Sequence, residues 1–233
     1  MYLLFDRRSN NEIILFFRPL VKYAFLRYTM LWKVKKMDKA NIILDAMKTL
    51  LEQDDGASCS VSDIAKKAGI GKGSIYYYFK SKDEIFDALV EREYHQIIEN
   101  CRVLMNRSYA DAAQKFALLF RSYRSSTSLL AMDHYLHQQQ NAAIHQKSLA
   151  KILSSLSPIV ADIIRQGVEE KSFRCEKPQE TAEIILSVYC FLYDPGIFKW
   201  TPEQLKEKAS ALATLLENGL SAAKGSFQFL YQT

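Results

Sequence analysis

Residues 61–86 read VSDIAKKAGIGKGSIYYYFKSKDEIF, and the fold turns on what the run IYYYF at 75–79 does inside that stretch. Alone, the run has the aromatic, β-favouring composition of a short buried strand. Its flanks carry helix signals instead. Ser60 followed by Asp63 resembles a capping box in which an acid replaces Glu or Gln. It opens a short helix through Ala68 that buries Val61, Ile64, Ala65 and Ala68. Gly69 breaks that helix and Gly71 starts the next without a side-chain clash, so the connection is only about three residues. Ser81 with Glu84 forms another capping box and starts a fourth helix at Lys82, which carries Ile85, Leu89 and further apolar positions toward Leu104. What lies between is a third helix, Lys72 to Phe79, and the unit is a helix-turn-helix. Successive helical residues turn by about 100°, so three tyrosines in a row cannot share one core face. Ile75 and Phe79, four apart, take the buried side with Tyr78 beside them, while Lys72, Gly73, Tyr76 and Tyr77 fall opposite.

Upstream, Ala40, Ile43, Leu44, Met47, Leu50 and Leu51 mark one face of a helix from Lys39 to Glu52, and the polar run QDDG at 53–56 ends it, with Gly56 as a left-handed stop. The chain has 233 residues, 48% hydrophobic and 24% charged, which is ordinary globular composition. Its net charge of +5 is unevenly placed. Residues 1–36 carry eight basic and two acidic side chains, so the remaining 197 residues are close to neutral. A basic pI alone is therefore no argument for nucleic acid. The local pattern is: from Lys66 to Lys82 there are five lysines (66, 67, 72, 80 and 82) and no acid. Lysines beside exposed tyrosine hydroxyls and a bare glycine, at the start of a helix, suit contact with DNA phosphates.

The stretch 61–86 resembles the DNA-binding domain of the TetR/AcrR family of regulators, in the pattern DIA…AG…KG(S/T)…Y-x-(Y/H)-F-x-(S/N/T)-K over roughly residues 38–90. The resemblance implies DNA contacts from Lys72, Gly73, Ser74, Tyr76, Tyr77, Tyr78 and Lys82. Lys72 and Gly73 would sit at the mouth of the recognition helix, the tyrosines on phosphates and some base edges, and Lys82 on a phosphate at the start of helix four. Gly71 stands where many members have a serine cap, so no side-chain cap or contact is expected from that position. Tyr78 carries two assignments, since helical geometry points it toward the core and the resemblance toward a phosphate.

Beyond Asn106 the basic signature ends and helical periodicity continues. Ala112 to Tyr123 carries Phe116, Leu119, Phe120 and Tyr123, and Ser157 with Pro158 reads as an N-cap and first-position proline leading into IVADIIRQGVEE. Another helix, Gln179 to about Tyr193, is apolar nearly all round. DPG at 194–196 is a turn, and Thr201, Pro202 and Gln204 open a last long helix with Leu205, Ala209, Leu212, Leu215, Leu216 and Leu220 on one stripe. These two final helices carry more apolar surface than a monomer needs, which points to a homodimer; the resemblance implies a four-helix bundle across a two-fold axis. It also implies an effector pocket among the intervening helices, with Phe116, Phe120, Tyr123, His134 and Tyr135 as candidate lining.

The four cysteines are scattered without metal-like spacing, which fits a reducing compartment. His134, His137 and Asp133 form one small cluster, read as a solvated helix face or pocket wall, and no metal or cofactor is assigned. No nucleophile elbow, phosphate loop or H-E-x-x-H motif is present, so no catalytic residues are assigned and the chain is read as non-enzymatic. The fold class is all-α. Residues 1–36 form an extension outside the family pattern, 37–83 the helix-turn-helix domain, 84–106 a connecting helix, 107–224 the ligand-binding and dimerisation domain, and 225–233 a tail. The extension has no apolar run of the roughly 18 residues a spanning helix needs. It reads as a basic surface-binding segment, a DNA-binding arm or, the version favoured here, sequence upstream of a start at Met37. The functional expectation is a cytoplasmic, ligand-responsive repressor that binds a near-palindromic double-stranded operator as a homodimer. A protein-binding adaptor of the same fold and a regulator tethered to a membrane through residues 1–36 are the alternatives.

Overall fold

The computed structural model describes residues 38–53, 59–124, 132–133 and 135–232; the extension 1–36 lies outside the described residues. Every regular element among them is helical. Helix α1 covers 38–53 and buries Ile43, Leu44, Met47 and Leu51, the face expected from the spacing. In α2, Val61–Lys67, the capping box is complete: Asp63 donates its backbone N–H to Ser60 Oγ at 3.2 Å, and its carboxylate accepts the Ser60 N–H at 2.9 Å. Gly69 then turns the chain at φ +67°, a left-handed conformation that favours glycine.

Helix α3 is shorter than the periodicity predicts. It spans Lys72–Ile75, and Tyr76 to Tyr78 continue as turns, with the Tyr78 and Phe79 N–H groups both donating to the Ile75 carbonyl at 2.8 and 2.9 Å. The cause lies immediately downstream. Phe79 is anchored in the core and Ser81 must be extended, at φ −148°, to cap α4, so the chain leaves the helical path early.

Helix α4, Lys82–Arg107, starts where expected, with Ser81 Oγ accepting the Glu84 N–H at 3.1 Å. The reciprocal arm of the box goes elsewhere, since Glu84 accepts from the Lys80 N–H. The 26-residue length of α4 carries it from the first three helices into the larger bundle. There it packs on α5 (Ala112–Arg124) and α6 (Ala142–Glu169), in a bundle completed by a helical turn at 135–136, α7 (Pro178–Leu192) and α8 (Pro202–Gly219). Thr201 and Gln204 form the expected capping box on α8.

One expectation fails in this bundle. Ser157–Pro158 is not a helix start: α6 runs through it, because proline removes one ladder bond while Leu156, Ile159, Val160 and Ile163 remain buried around it. The Ser157 hydroxyl instead accepts from Gln179 Nε2 of α7 at 3.0 Å. The residues after α8 pack onto the bundle. Phe227 is fully buried, edge-on to Phe116 at 5.2 Å and stacked on Phe173 at 5.9 Å, closing the far end of the core.

Candidate functional site

The first three helices and the start of α4 share one core through Ile64, Ile75, Phe79, Ile85 and Phe86, all buried. Anchoring Ile75 and Phe79 leaves the opposite surface of α3 facing solvent. Lys72, Gly73 and Ser74 are exposed there, with Tyr76 51% and Tyr77 58% exposed, and Lys66, Lys67 and Lys80 around them. A side chain at Gly73 would meet nothing within 4 Å within the protein, so the glycine serves no packing need of the fold itself. Tyr78 is half-buried, its ring edge-on to Tyr77 at 4.9 Å, which accounts for the conflict in its sequence reading.

Lys82 is also half-buried, and it points in an unexpected direction. Its Nζ lies 5.1 Å from the centroid of the Tyr135 ring. Burial opposes its charge, but the Tyr135 hydroxyl outweighs that effect and holds its pKa above the ordinary lysine value. Tyr135 is itself 1% exposed and stands edge-on to Phe86 at 4.5 Å. The segment that carries Tyr135 is fixed from behind by the Asn141 amide, which donates to its carbonyl at 2.6 Å.

The same segment lines a cavity of about 610 Å³ on its other side. Helix α4 contributes Tyr94, α5 Tyr123 and Arg124, α6 His145, Leu149 and Ile152, α7 Tyr189 and Cys190, and α8 Leu205 and Lys206. Met132, Asp133, Leu136 and His137 close it, together with Tyr193 and Asp194 after α7. Most of the wall is apolar or aromatic. Its charged groups include Arg124, Lys206 and a cluster where His137 and His145 meet Asp194, at 3.3 and 2.8 Å. His137 is held protonated by Asp133 and Asp194, its pKa raised to about 9. Burial works against the Asp194 charge, yet the two histidines outweigh it and depress its pKa. Burial pushes the Cys190 thiol up to about 12, which removes it as a thiolate nucleophile. Among the described residues, the Tyr193 hydroxyl in the same wall is buried without a hydrogen-bond partner.

Of the pocket residues expected from sequence, Tyr123 lines this cavity, while Phe116, Phe120 and Tyr135 are placed elsewhere. Phe116 is fully buried among Phe120, Phe173 and Phe227, and Phe120 borders only a small apolar void beside Leu119 and Leu156. Tyr135 faces α4, because the helical turn that aims Leu136 and His137 at the cavity aims its neighbour away. His134 lies outside the described residues. His145 and Asp194 give no signal in the sequence: they are 49 residues apart and carry no local motif.

A second apolar surface stands exposed among the described residues. Ile184 and Phe191, two helical turns apart on α7, are 66% and 55% exposed, and Leu215 on α8 is 68% exposed. Leu215 thus leaves the stripe expected to hold all the α8 leucines, while Leu212, Leu216 and Leu220 stay buried. Among the described residues no helix is long and apolar enough to cross a membrane.

Comparison with known proteins follows this division. Residues 43–89 match the family described as bacterial regulatory proteins, tetR family, and residues 128–215 match the tetracyclin repressor-like C-terminal domain. The fatty acid metabolism regulator protein of Bacillus subtilis is 32% identical over 142 residues, 58% of this chain and 71% of that protein. A second Bacillus subtilis protein, the uncharacterized HTH-type transcriptional regulator YhgD, is 27% identical over 202 residues, 80% of this chain and 98% of its own length. The structure of the Bacillus subtilis transcriptional regulator FadR in complex with stearoyl-CoA superposes with a TM-score of 0.52. It covers 82% of this chain and 97% of that one at 23% identity, which shows a shared fold. With a helix-turn-helix head, a cavity-bearing helical body and sequence kinship across both, the chain belongs to the TetR family of transcriptional regulators.

Proposed function

We propose that the protein is a ligand-responsive repressor that binds a near-palindromic DNA operator as a homodimer in the cytoplasm and is released by a small molecule occupying the cavity. One observation carries the DNA reading: the helix-turn-helix is anchored by a buried face while Lys72, Gly73, Ser74, Tyr76 and Tyr77 stand exposed together on the other. In this reading Gly73 permits close backbone approach and Tyr76, Tyr77 and Lys72 meet phosphates and base edges. Tyr78 and Lys82 contribute from the margin. The domain assignment is 37–83 for DNA binding, 84–106 for the connecting helix and 107–224 for ligand binding and dimerisation, with 225–232 joined to that last unit by Phe227.

The exposed apolar residues of α7 and α8 support a two-fold bundle as the dimer interface. Such a dimer presents two α3 elements to successive major grooves roughly 34–36 Å apart. The cavity favours an amphipathic effector, with an apolar body against Leu149, Ile152 and Leu205 and a polar head near Arg124, Lys206 or the histidine pair. The relative named for fatty acid metabolism makes fatty acids and their CoA thioesters the first compounds to screen. Release runs through the segment 132–137. Its cavity side carries Leu136 and His137 and its opposite side carries Tyr135 against Phe86, so an occupant that shifts the segment also shifts the start of α4. A coupling of about 1–3 kcal/mol is enough for regulation of this kind.

The test is selection of bound DNA from a random pool, followed by fluorescence anisotropy of the selected operator at physiological salt and addition of the compound panel. The expected result is sequence-specific binding reversed by at least one compound. Binding that stays equal on scrambled DNA overturns the regulator reading.

A further inference from the structure

His137, His145 and Asp194 arrive from the turn after residue 136, the first turns of α6 and the loop after α7, and they converge in the cavity wall. His145 Nε2 lies 2.8 Å from Asp194 Oδ2 and His137 Nε2 lies 3.3 Å from Asp194 Oδ1. One donor atom from each of the three residues falls within 4.8 Å of the other two. A tetrahedral ion with bonds of about 2.0–2.1 Å holds its ligand atoms about 3.3 Å apart. The Asp194 carboxylate thus reaches both imidazoles at distances near that edge length, one through each of its oxygens.

We propose that His137, His145 and Asp194 bind one divalent cation of the zinc class, leaving one coordination position open to the cavity. Two imidazoles and a carboxylate form a borderline donor set suited to zinc, and three protein ligands with a free fourth position are the arrangement of an accessible site.

Three further features distinguish this cluster from a chance ion pair. Asp133 Oδ2 stands 3.4 Å from His137 Nδ1, on the far side of the ring, where an outer carboxylate orients an imidazole whose Nε2 faces a metal. The Gly196 N–H donates to Asp194 Oδ1 at 2.7 Å and fixes that carboxylate. A Cβ at residue 196 would lie 2.3 Å from the His137 ring, so the loop is moulded closely around the imidazole. The buried Tyr193 hydroxyl in the same wall, which has no hydrogen-bond partner among the described residues, is available to a polar occupant of the cavity.

This assignment goes beyond the regulator reading, and the two can fail separately. The full chain is stripped with a chelator, dialysed and titrated calorimetrically with zinc chloride, while operator binding is followed in parallel. The expected result is one zinc per chain with a dissociation constant on the order of 1 µM or tighter. His145→Gln and Asp194→Asn each weaken binding by at least about 100-fold, and Asp133→Asn, acting through His137, by about 10–100-fold. His95→Gln, on the exposed face of α4, leaves zinc binding unchanged. Circular dichroism establishes that each variant is folded. Should the ligand variants not fold, Co²⁺ added to the wild-type protein decides: paramagnetic shifts on the ring protons of both His137 and His145 support the site. Absence of stoichiometric zinc binding, full binding in folded His145→Gln and Asp194→Asn, or Co²⁺ shifts confined to other histidines overturns it. Loss of the metal site with operator binding intact leaves the regulator reading standing. Failure of operator binding in a zinc-competent protein refutes only the latter.

Discussion

Tyr135 lies at the joint between cavity and DNA-binding head, and replacing it measures how much of the protein's stability and communication passes through one ring. The side chain is 1% exposed, edge-on to Phe86 at 4.5 Å and 5.1 Å from the Lys82 ammonium. Tyr135→Leu keeps apolar bulk in the site but removes an aromatic pair worth about 0.5–1.5 kcal/mol and a cation–π contact worth about 0.5–1 kcal/mol. The expected loss is therefore about 1–2.5 kcal/mol. Tyr135→Ala also leaves a void, for a total of about 3–5 kcal/mol. In a domain of this size each kcal/mol lowers Tm by about 2–4 °C, so Tyr135→Leu falls by about 2–10 °C and Tyr135→Ala by more. Calorimetry at one fixed protein concentration is the assay, since a dimer's Tm depends on concentration. In anisotropy, Tyr135→Leu retains operator binding, while the compound that releases wild-type protein loses most of its effect on DNA affinity even though it still binds. A Tyr135→Leu protein with wild-type Tm and undiminished ligand-driven release refutes the role assigned to this ring.

Substitutions elsewhere give three more expected outcomes. Leu215→Glu together with Ile184→Glu places charge on the exposed face of α7 and α8 and, if that face is the proposed dimer interface, gives monomers in light scattering where the wild type gives dimers, with helicity by circular dichroism unchanged. Gly167→Ala sets a methyl 2.1 Å from the Phe173 ring in a packed core, and denaturant unfolding registers a loss of about 1–3 kcal/mol. Lys82→Ala weakens DNA binding about equally on all sequences and lowers the salt slope of log K by about 0.9, the amount for one phosphate no longer neutralised; an unchanged slope rules out a phosphate partner for Lys82.

How much of the fold is legible in the sequence depends on how local each determinant is. The capping boxes Ser60/Asp63 and Thr201/Gln204 span four residues each, and both form as their spacing predicts. The extent of α3 is not legible in its own periodicity, because its end is set by Ser81, whose extended backbone belongs to the next helix. Pro158 misleads for a related reason. Its propensity favours a helix start, but Leu156, Ile159 and Val160 pack on both sides of it, and burial outweighs one missing hydrogen bond. The cavity is the least legible part. Phe116 and Tyr123 sit seven residues apart on α5, nearly in register along the helix, yet Phe116 is buried against Phe173 and Phe227 while Tyr123 reaches the cavity. Which level of the bundle is hollow depends on partners from other helices, and no periodicity within α5 encodes it.

The placement of ion pairs along α4 gives a physical reason for an occupied cavity to move the head as a unit. Near its start α4 is tied to α6 by Lys147–Asp87 at 2.6 Å and Lys151–Glu91 at 2.5 Å, and to α1 by Lys48–Glu93 at 2.8 Å and Arg92–Asp45 at 2.8 Å. The pairs toward α6 are largely solvent-exposed, and exposed pairs contribute about 0–1 kcal/mol each, so they are readily remade in a shifted register. Glu93 is buried and pairs with Lys48 of α1 as well as with Arg92, its neighbour on α4; withdrawing α1 would take the Lys48 ammonium from a carboxylate held away from water. α1 therefore follows α4 more closely than α4 follows α6. A displacement begun at Leu136 and His137 is then expected to slide α4 along α6 and carry α1, α2 and α3 with it, altering the separation of the two recognition elements in a dimer without disturbing the surface that meets DNA.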